Sequence, residues 1–273
     1  MAEAVPFDRF AGLIPDGARL ALSNHRWQAA VMPGGRQVNL SLHLRAPGES
    51  DVVLRVRRGP DLPGAYFPRE LACHQLAARA GLAPRIRAAD ASQGWLLMDY
   101  VAADPWSTAS LADEAALWRL GDRLRELHAI ELPQFAPVNG LALLQANCDL
   151  LVSRGEARAA ELLSEGAALT AQLQRLPNRP PVLCHGDPDV ANFLGEAPVL
   201  IDFEYAQSAD PTYDLALLLD YYPLPEGRVQ TLQKAMGLDD ELSRRRLPLQ
   251  RELCRIVNVA WERAQRLASR TLD

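Results

Sequence analysis

The sequence predicts a two-lobed α+β protein, with an antiparallel β-rich first lobe over residues 1–101 and a mainly helical second lobe over residues 102–273. Three observations predict it. Apolar and polar residues alternate through residues 18–57, the period of half-buried strands. Through residues 112–130 apolar positions instead recur every three or four residues, the period of a helix buried on one face. The change of period falls at a short turn-rich stretch, AADPWST.

The elements follow in order. ARLALS, RWQAAVM, QVNLSLHL and DVVLRVR each alternate, with turn signals at Pro33-Gly34-Gly35 and Pro47-Gly48, and together predict an antiparallel meander. FPRELACHQLAARAG predicts a helix with Leu71, Gln75 and Ala78 on one stripe and Gly81 as its C-cap. RIRAAD and GWLLMDYV predict two more strands. In ADEAALWRLGDRLRELHAI, Leu117, Leu120, Leu124 and Leu127 share one side and Arg119, Asp122, Arg123 and Glu126 the other, an amphipathic helix. Helices are expected around 141–175, then a strand VLCH, a loop and a strand PVLI. From about Thr212 to Leu267 the pattern is helical, broken at Pro223, Pro225 and Gly237. A cleft between the lobes is the expected site.

Composition narrows the function classes. The 273 residues are 48% hydrophobic and 23% charged, enough to bury a core in each lobe. A net charge of −5 without a basic stripe disfavours a nucleic-acid partner. No apolar run approaches the roughly 20 residues of a membrane helix. The opening MAEAVPFDRF places an Asp and a Pro where a signal peptide has its apolar core, so a cytosolic protein with no membrane partner is expected. Cys73, Cys148, Cys184 and Cys254 are far apart, with no zinc-ligand spacing, and read as buried free thiols. Lys234 is the single lysine, so any phosphate contact in the first half must come from arginine.

The chemistry concentrates in His185-Gly186-Asp187-Pro188-Asp189-Val190-Ala191-Asn192, followed by Leu200-Ile201-Asp202-Phe203-Glu204. Each acid or amide borders a short apolar run, which would bring Asp187, Asn192 and Asp202 to one rim. An amide and a carboxylate suit Mg²⁺, which prefers a few hard oxygen ligands and fills its shell with water and nucleotide phosphates. A further carboxylate can accept the proton of an attacking hydroxyl.

These runs resemble H-x-D-x-x-x-x-N and I-D-F of the protein-kinase-like superfamily, specifically its choline/ethanolamine kinase, thiamine kinase and aminoglycoside phosphotransferase branch. LSNHRW is similar to the nucleotide-covering turn of choline-kinase-like proteins and LLMDYV to their interlobe hinge strand. The resemblance implies an ATP- and Mg²⁺-dependent kinase of a small alcohol, with Asp187 as base and Asn192 and Asp202 as metal ligands. His185 and Asp214 would support the loop. Arg55 would stand where the family has a phosphate-gripping lysine, with Glu70 as its ion-pair partner, and Ser23, Asn24, Met98 and Tyr100 would line the nucleotide site. Arginine for lysine is a departure, although its planar fork still suits phosphate. Asp189 stands between a metal or substrate contact and a solvated loop acid, and is read as the latter.

Only the eleven residues FEYAQSADPTY separate Asp202 from Asp214, too few for the segment on which a protein kinase lays a peptide. Between Asp187 and Glu226 stand nine acids and no Lys or Arg. That surplus favours a cationic acceptor such as choline or thiamine, with Glu204, Tyr205, Asp220 and Tyr221 as substrate candidates; the alternative is a solvated acidic surface over packed tyrosines. Trp261 and Glu262, on the last helix, stand between acceptor contact and core packing, and the tryptophan is read as core. Two rival functions remain open, an aminoglycoside phosphotransferase and a non-catalytic nucleotide-binding module of the same fold.

Overall fold

The computed structural model describes residues 4–32, 39–59, 63–132, 140–156 and 158–269. The chain divides into two compact units, residues 1–104 with 199–204, and residues 105–198 with 205–273.

In the first unit, β1 (Val5–Pro6), β2 (Gln28–Val31), β3 (Asn39–Arg45), β4 (Val52–Arg57), β5 (Ile86–Asp90) and β6 (Trp95–Asp99) form one antiparallel sheet in the order β1-β2-β3-β4-β6-β5. Alternation decides which side chains face the core. Leu40, Leu42 and Leu44 are all buried, and the register sets Leu42 against Leu54 and Leu54 against Leu97, a row of leucines across three strands. Val53 and Arg55 point to the opposite face, yet both are buried too. Strand β4 is therefore covered on both sides, which buries a guanidinium away from the apolar core.

Helix α1 (Asp16–Ala21) closes that core and corrects one expectation, since ARLALS is helical at Ala18–Ala21 rather than a strand. Ile14, Ala18 and Leu22 recur every fourth residue and are buried together, while Leu20 is 75% exposed. Pro15 at the N-cap and Asp16 in the first turn favour the helix start, so the helical period wins over a short alternation. Helix α2 (Phe67–Arg79) also differs in detail. Its buried face is Phe67, Glu70, Cys73, His74 and Ala77, not Leu71, Gln75 and Ala78. Two polar side chains turn the helix this way, Glu70 toward Arg55 and His74, whose Nε2 lies 2.8 Å from the Pro84 carbonyl. Ala80 is the C-cap, and Gly81 takes the left-handed conformation just beyond it. The Pro47-Gly48 turn links β3 to β4, whereas Pro33-Gly34-Gly35 lies outside the described residues.

The second unit holds α3 (Glu114–His128), α4 (Gly140–Ser153), α5 (Ala159–Gln174), the short strand β7 (Val182–Cys184) with its antiparallel partner Gln207–Ala209, then α6 (Tyr213–Tyr221), α7 (Glu226–Met236) and α8 (Glu241–Ser269). Asp113 caps α3 by accepting from Ala115 N at 3.0 Å, worth about 1 kcal/mol. Leu117, Leu120, Leu124 and Leu127 are fully buried, each contributing roughly 1.5–3 kcal/mol. Gly121 lets α7 approach, because a Cβ there would stand 2.6 Å from that of Ala235. A second core joins α4, α5 and α8 through Leu144, Leu151, Leu162, Leu253 and Ile256. Pro223 and Pro225 separate α6 from α7 and Gly237 ends α7, but α8 runs through Pro248, which leaves the Arg244 carbonyl without its usual amide. Arg246 stitches α8 to its surroundings: it pairs with Asp210 at 2.6 Å and donates to the carbonyls of Leu173 and Pro177. All four cysteines are buried and free. No helix among the described residues is long and apolar enough to cross a membrane.

Candidate active site

In the second unit, the loop leaving β7 is anchored by one carboxylate. Asp214, in the first turn of α6, is fully buried and accepts from the backbone N–H of both His185 and Gly186 at 2.9 Å. His128, in the last turn of α3, lies 2.9 Å from its Oδ2. Burial alone would raise the Asp214 pKa, but the His128 hydrogen bond and charge and the Gly186 N–H outweigh it and hold the carboxyl below its ordinary value. His128, Cys184 and Asp214 offer ligand atoms close together. They form a structural knot, because the Asp214 oxygens are already engaged and burial keeps the Cys184 thiol protonated. Gly186 has φ +77°, and a Cβ there would collide with the Tyr205 carbonyl, so only glycine fits.

The next residue, Asp187, is half-buried. Asn192 Nδ2 donates to its backbone carbonyl at 3.0 Å and to its Oδ2 at 3.1 Å. Tyr221 also hydrogen-bonds to Asp187, and burial together with that negative charge keeps the phenol protonated well past its ordinary pKa. The carboxylate is thus held in one orientation by an amide and a phenol. Asp189 is a partly exposed loop acid whose Oδ1 accepts from Ala191 N at 2.8 Å and caps the 3₁₀ turn that carries Asn192. Burial and Asp189 push the neighbouring Tyr222 phenol up to about 12.

In the first unit, three acids gather around Arg55. Arg55 Nη1 lies 2.8 Å from Glu70 Oε1 and 2.7 Å from Asp202 Oδ1, and its Nη2 lies 2.9 Å from Glu204 Oε2. Asn39 Nδ2 donates to the same Glu204 oxygen at 2.8 Å. Burial would lower the Arg55 pKa, but Asp202, Glu70 and Glu204 together lift it above its ordinary value, so it stays charged. Burial, then the charge of Asp202, pushes Glu204 up to about 7 despite Arg55 and Asn39. Asp202 is the one non-glycine residue with positive φ among the described residues, at +65°, and its side chain is 38% exposed.

Each unit keeps an oxygen of the hard kind that Mg²⁺ prefers. Asn192 spends its amide nitrogen on Asp187, which leaves Oδ1 open, and Asp202 spends Oδ1 on Arg55, which leaves Oδ2 open.

The other expected residues are spread more widely. Ser23 and Asn24 occupy the exposed turn after α1, where the Ser23 hydroxyl donates to Leu20 O at 2.8 Å, and no hydrogen bond or ion pair ties them to Arg55. Met98 pairs with Val53 and Ile86 in the sheet. Tyr100 stacks on His43 with ring centres 3.9 Å apart. Among the substrate candidates, Glu204 belongs to the arginine cluster. Asp220 accepts from Asn258 Nδ2 at 2.6 Å, Tyr221 touches Asp187, and Tyr205 meets the half-buried Trp261 edge to face at 6.4 Å. Sequence reasoning missed His128, Asn39 and Asn258. His128 ends the buried face of an amphipathic helix, a readable signal, whereas Asn39 stands 165 residues from Glu204 and carries none.

The phosphotransferase enzyme family matches residues 33–248 of the chain. The chain belongs to this family. No curated protein matches this phosphotransferase in sequence. Among solved structures it is similar to a choline/ethanolamine kinase family protein from Mesorhizobium loti, with TM-score 0.74 and 22% identity over 94% of this chain and 87% of that one. Choline kinase from Streptococcus pneumoniae matches with TM-score 0.78 and 16% identity over 95% and 92%. An ADP-bound aminoglycoside phosphotransferase matches with TM-score 0.62 and 17% identity over 87% and 84%. At these identities the likeness shows the fold, a kinase-like arrangement of a β-rich N-terminal part and a helical C-terminal part.

Proposed function

We propose that this phosphotransferase moves the γ-phosphoryl group of ATP to a hydroxyl of a small cationic molecule of the choline or thiamine type. The observation that carries the reading is Asp187, a half-buried carboxylate fixed by Asn192 and Tyr221 on a loop whose backbone is pinned by Asp214. Asp187 acts as the base: the acceptor oxygen attacks in line while its proton passes to the carboxylate. Asn192 and Tyr221 aim that carboxylate before substrate arrives, which removes an orientational cost from the barrier. Arg55 offers a permanent cation to the nucleotide phosphates. Asn192 and Asp202 would hold Mg²⁺, which when bound supplies neutralisation of phosphate charge.

A cationic acceptor is favoured by the nine acids from Asp187 to Glu226, a segment with no Lys or Arg of its own, of which Asp202, Glu204 and Asp210 are met by Arg55 and Arg246 from elsewhere in the chain. The Tyr205–Trp261 pair adds aromatic faces of the kind that attract an ammonium or thiazolium group. Four free buried thiols suit the reducing cytosol. An ATP-consumption screen with choline, ethanolamine, thiamine, aminoglycosides and neutral sugars tests the reading. Turnover with the cationic alcohols is expected. Turnover only with aminoglycosides would select the drug-modifying alternative, and ATP binding without turnover on any acceptor would select a non-catalytic module.

A further inference from the structure

We infer that Glu204, held by Asn39, is a positioning residue that locks the Arg55 fork and through it the Asp202 segment. It would thereby act on nucleotide and metal binding rather than on the acceptor. The inference rests on the phosphotransferase reading and assigns Glu204 a place within it.

The geometry is specific to arginine. One nitrogen, Nη1, bridges Glu70 and Asp202 at 2.8 and 2.7 Å, and an ammonium could do as much. The second, Nη2, has a separate partner, Glu204 at 2.9 Å, and a planar guanidinium held at both nitrogens cannot rotate about its own axis. Glu204 is itself fixed by Asn39 at 2.8 Å, at the start of β3 next to the strand that carries Arg55. Asp202 sits in the left-handed backbone region at φ +65°, a conformation that costs energy for aspartate and persists only where its surroundings hold it. Two residues further on, Glu204 returns to the same cation, so the segment 202–204 is clamped at both ends by one side chain. The clamp leaves Asp202 Oδ2 free while fixing where it points.

The test uses the full-length protein, with Mg·ADP affinity measured by calorimetry and acceptor KM measured separately. E204Q is expected to weaken Mg·ADP binding by about tenfold and N39A by about threefold, with acceptor KM unchanged within about twofold. In the R55K background, where the second nitrogen is gone, E204Q is expected to add less than about twofold. N39A alters only a partly exposed hydrogen bond and carries the test if E204Q fails to fold. The inference is overturned if E204Q and N39A raise acceptor KM and leave Mg·ADP affinity intact, which would put Glu204 against the acceptor. It is also overturned if the E204Q effect is undiminished in R55K. Wild-type protein that binds no Mg·ADP would sink the phosphotransferase reading itself, a result distinct from both.

Discussion

Arg55 and Asp202, 147 positions apart in the chain, meet at 2.7 Å, and the same guanidinium nitrogen reaches Glu70 at 2.8 Å. A helix residue, Glu70, thus shares one strand-borne cation with the acid proposed to hold the metal. Glu70 is 1% exposed, so its carboxylate meets that cation away from solvent.

Removing the cation while keeping its bulk therefore has a calculable cost. Arg55→Met removes the cation that three acids share and should destabilise the protein by about 3–5 kcal/mol, read as a lower urea midpoint with an unchanged slope. A midpoint equal to wild type would show that the Arg55 ion pairs add nothing to stability.

The two acids of the proposed site should separate kinetically. Asp187→Ala should lower kcat by about 10²–10⁴-fold with Mg·ADP affinity retained, because the proposed role of Asp187 is to take the acceptor proton. Asp202→Ala should instead weaken Mg·ADP, since it removes an oxygen donor. Wild-type turnover in Asp187→Ala would show that another group takes the proton.

Asp214 gives stability a definite pH dependence. Its pKa in the fold lies below the ordinary carboxylate value, so its contribution is present above about pH 4, the unfolded pKa, and is lost as pH falls through the folded value. Asp214→Asn, which sets an amide donor against a backbone donor, should cost about 2–4 kcal/mol at pH 7. That difference should narrow as acid is added below pH 4. Urea titrations of both proteins at pH 7, 4 and 3 measure it, and a gap that stayed constant would refute the charge-based account.

The aromatic pair tests the acceptor. Trp261→Ala should raise the KM for a quaternary ammonium alcohol by roughly 3–30-fold, the range of a cation–π contact, and leave Mg·ADP binding unchanged. An unchanged acceptor KM would return Trp261 to simple packing against Tyr205.

What the sequence determined by itself was local. The leucines at 117, 120, 124 and 127 marked the buried face of α3, and the alternation of NLSLHLR and VVLRVR marked paired strands, because side-chain direction repeats with the backbone's own period. The order HGD, Asn192, IDFE marked the phosphotransferase family for the same reason, each motif being short and contiguous. ARLALS misled because six residues hold too few repeats to tell a period of two from one of 3.6, and burial of Ala18 with Leu22 settled it.

Only the tertiary structure decided which charges meet. Glu70 faces inward on α2 because Arg55 is there to receive it, Glu204 joins Asn39 across 165 positions, and His128 reaches Asp214 across 86. Asp189 became a turn cap through the amide of Ala191. Burial makes each of these polar groups demand a partner, and the partner is whichever residue the folded chain brings within hydrogen-bond reach, a property of distance in space that spacing along the sequence does not encode.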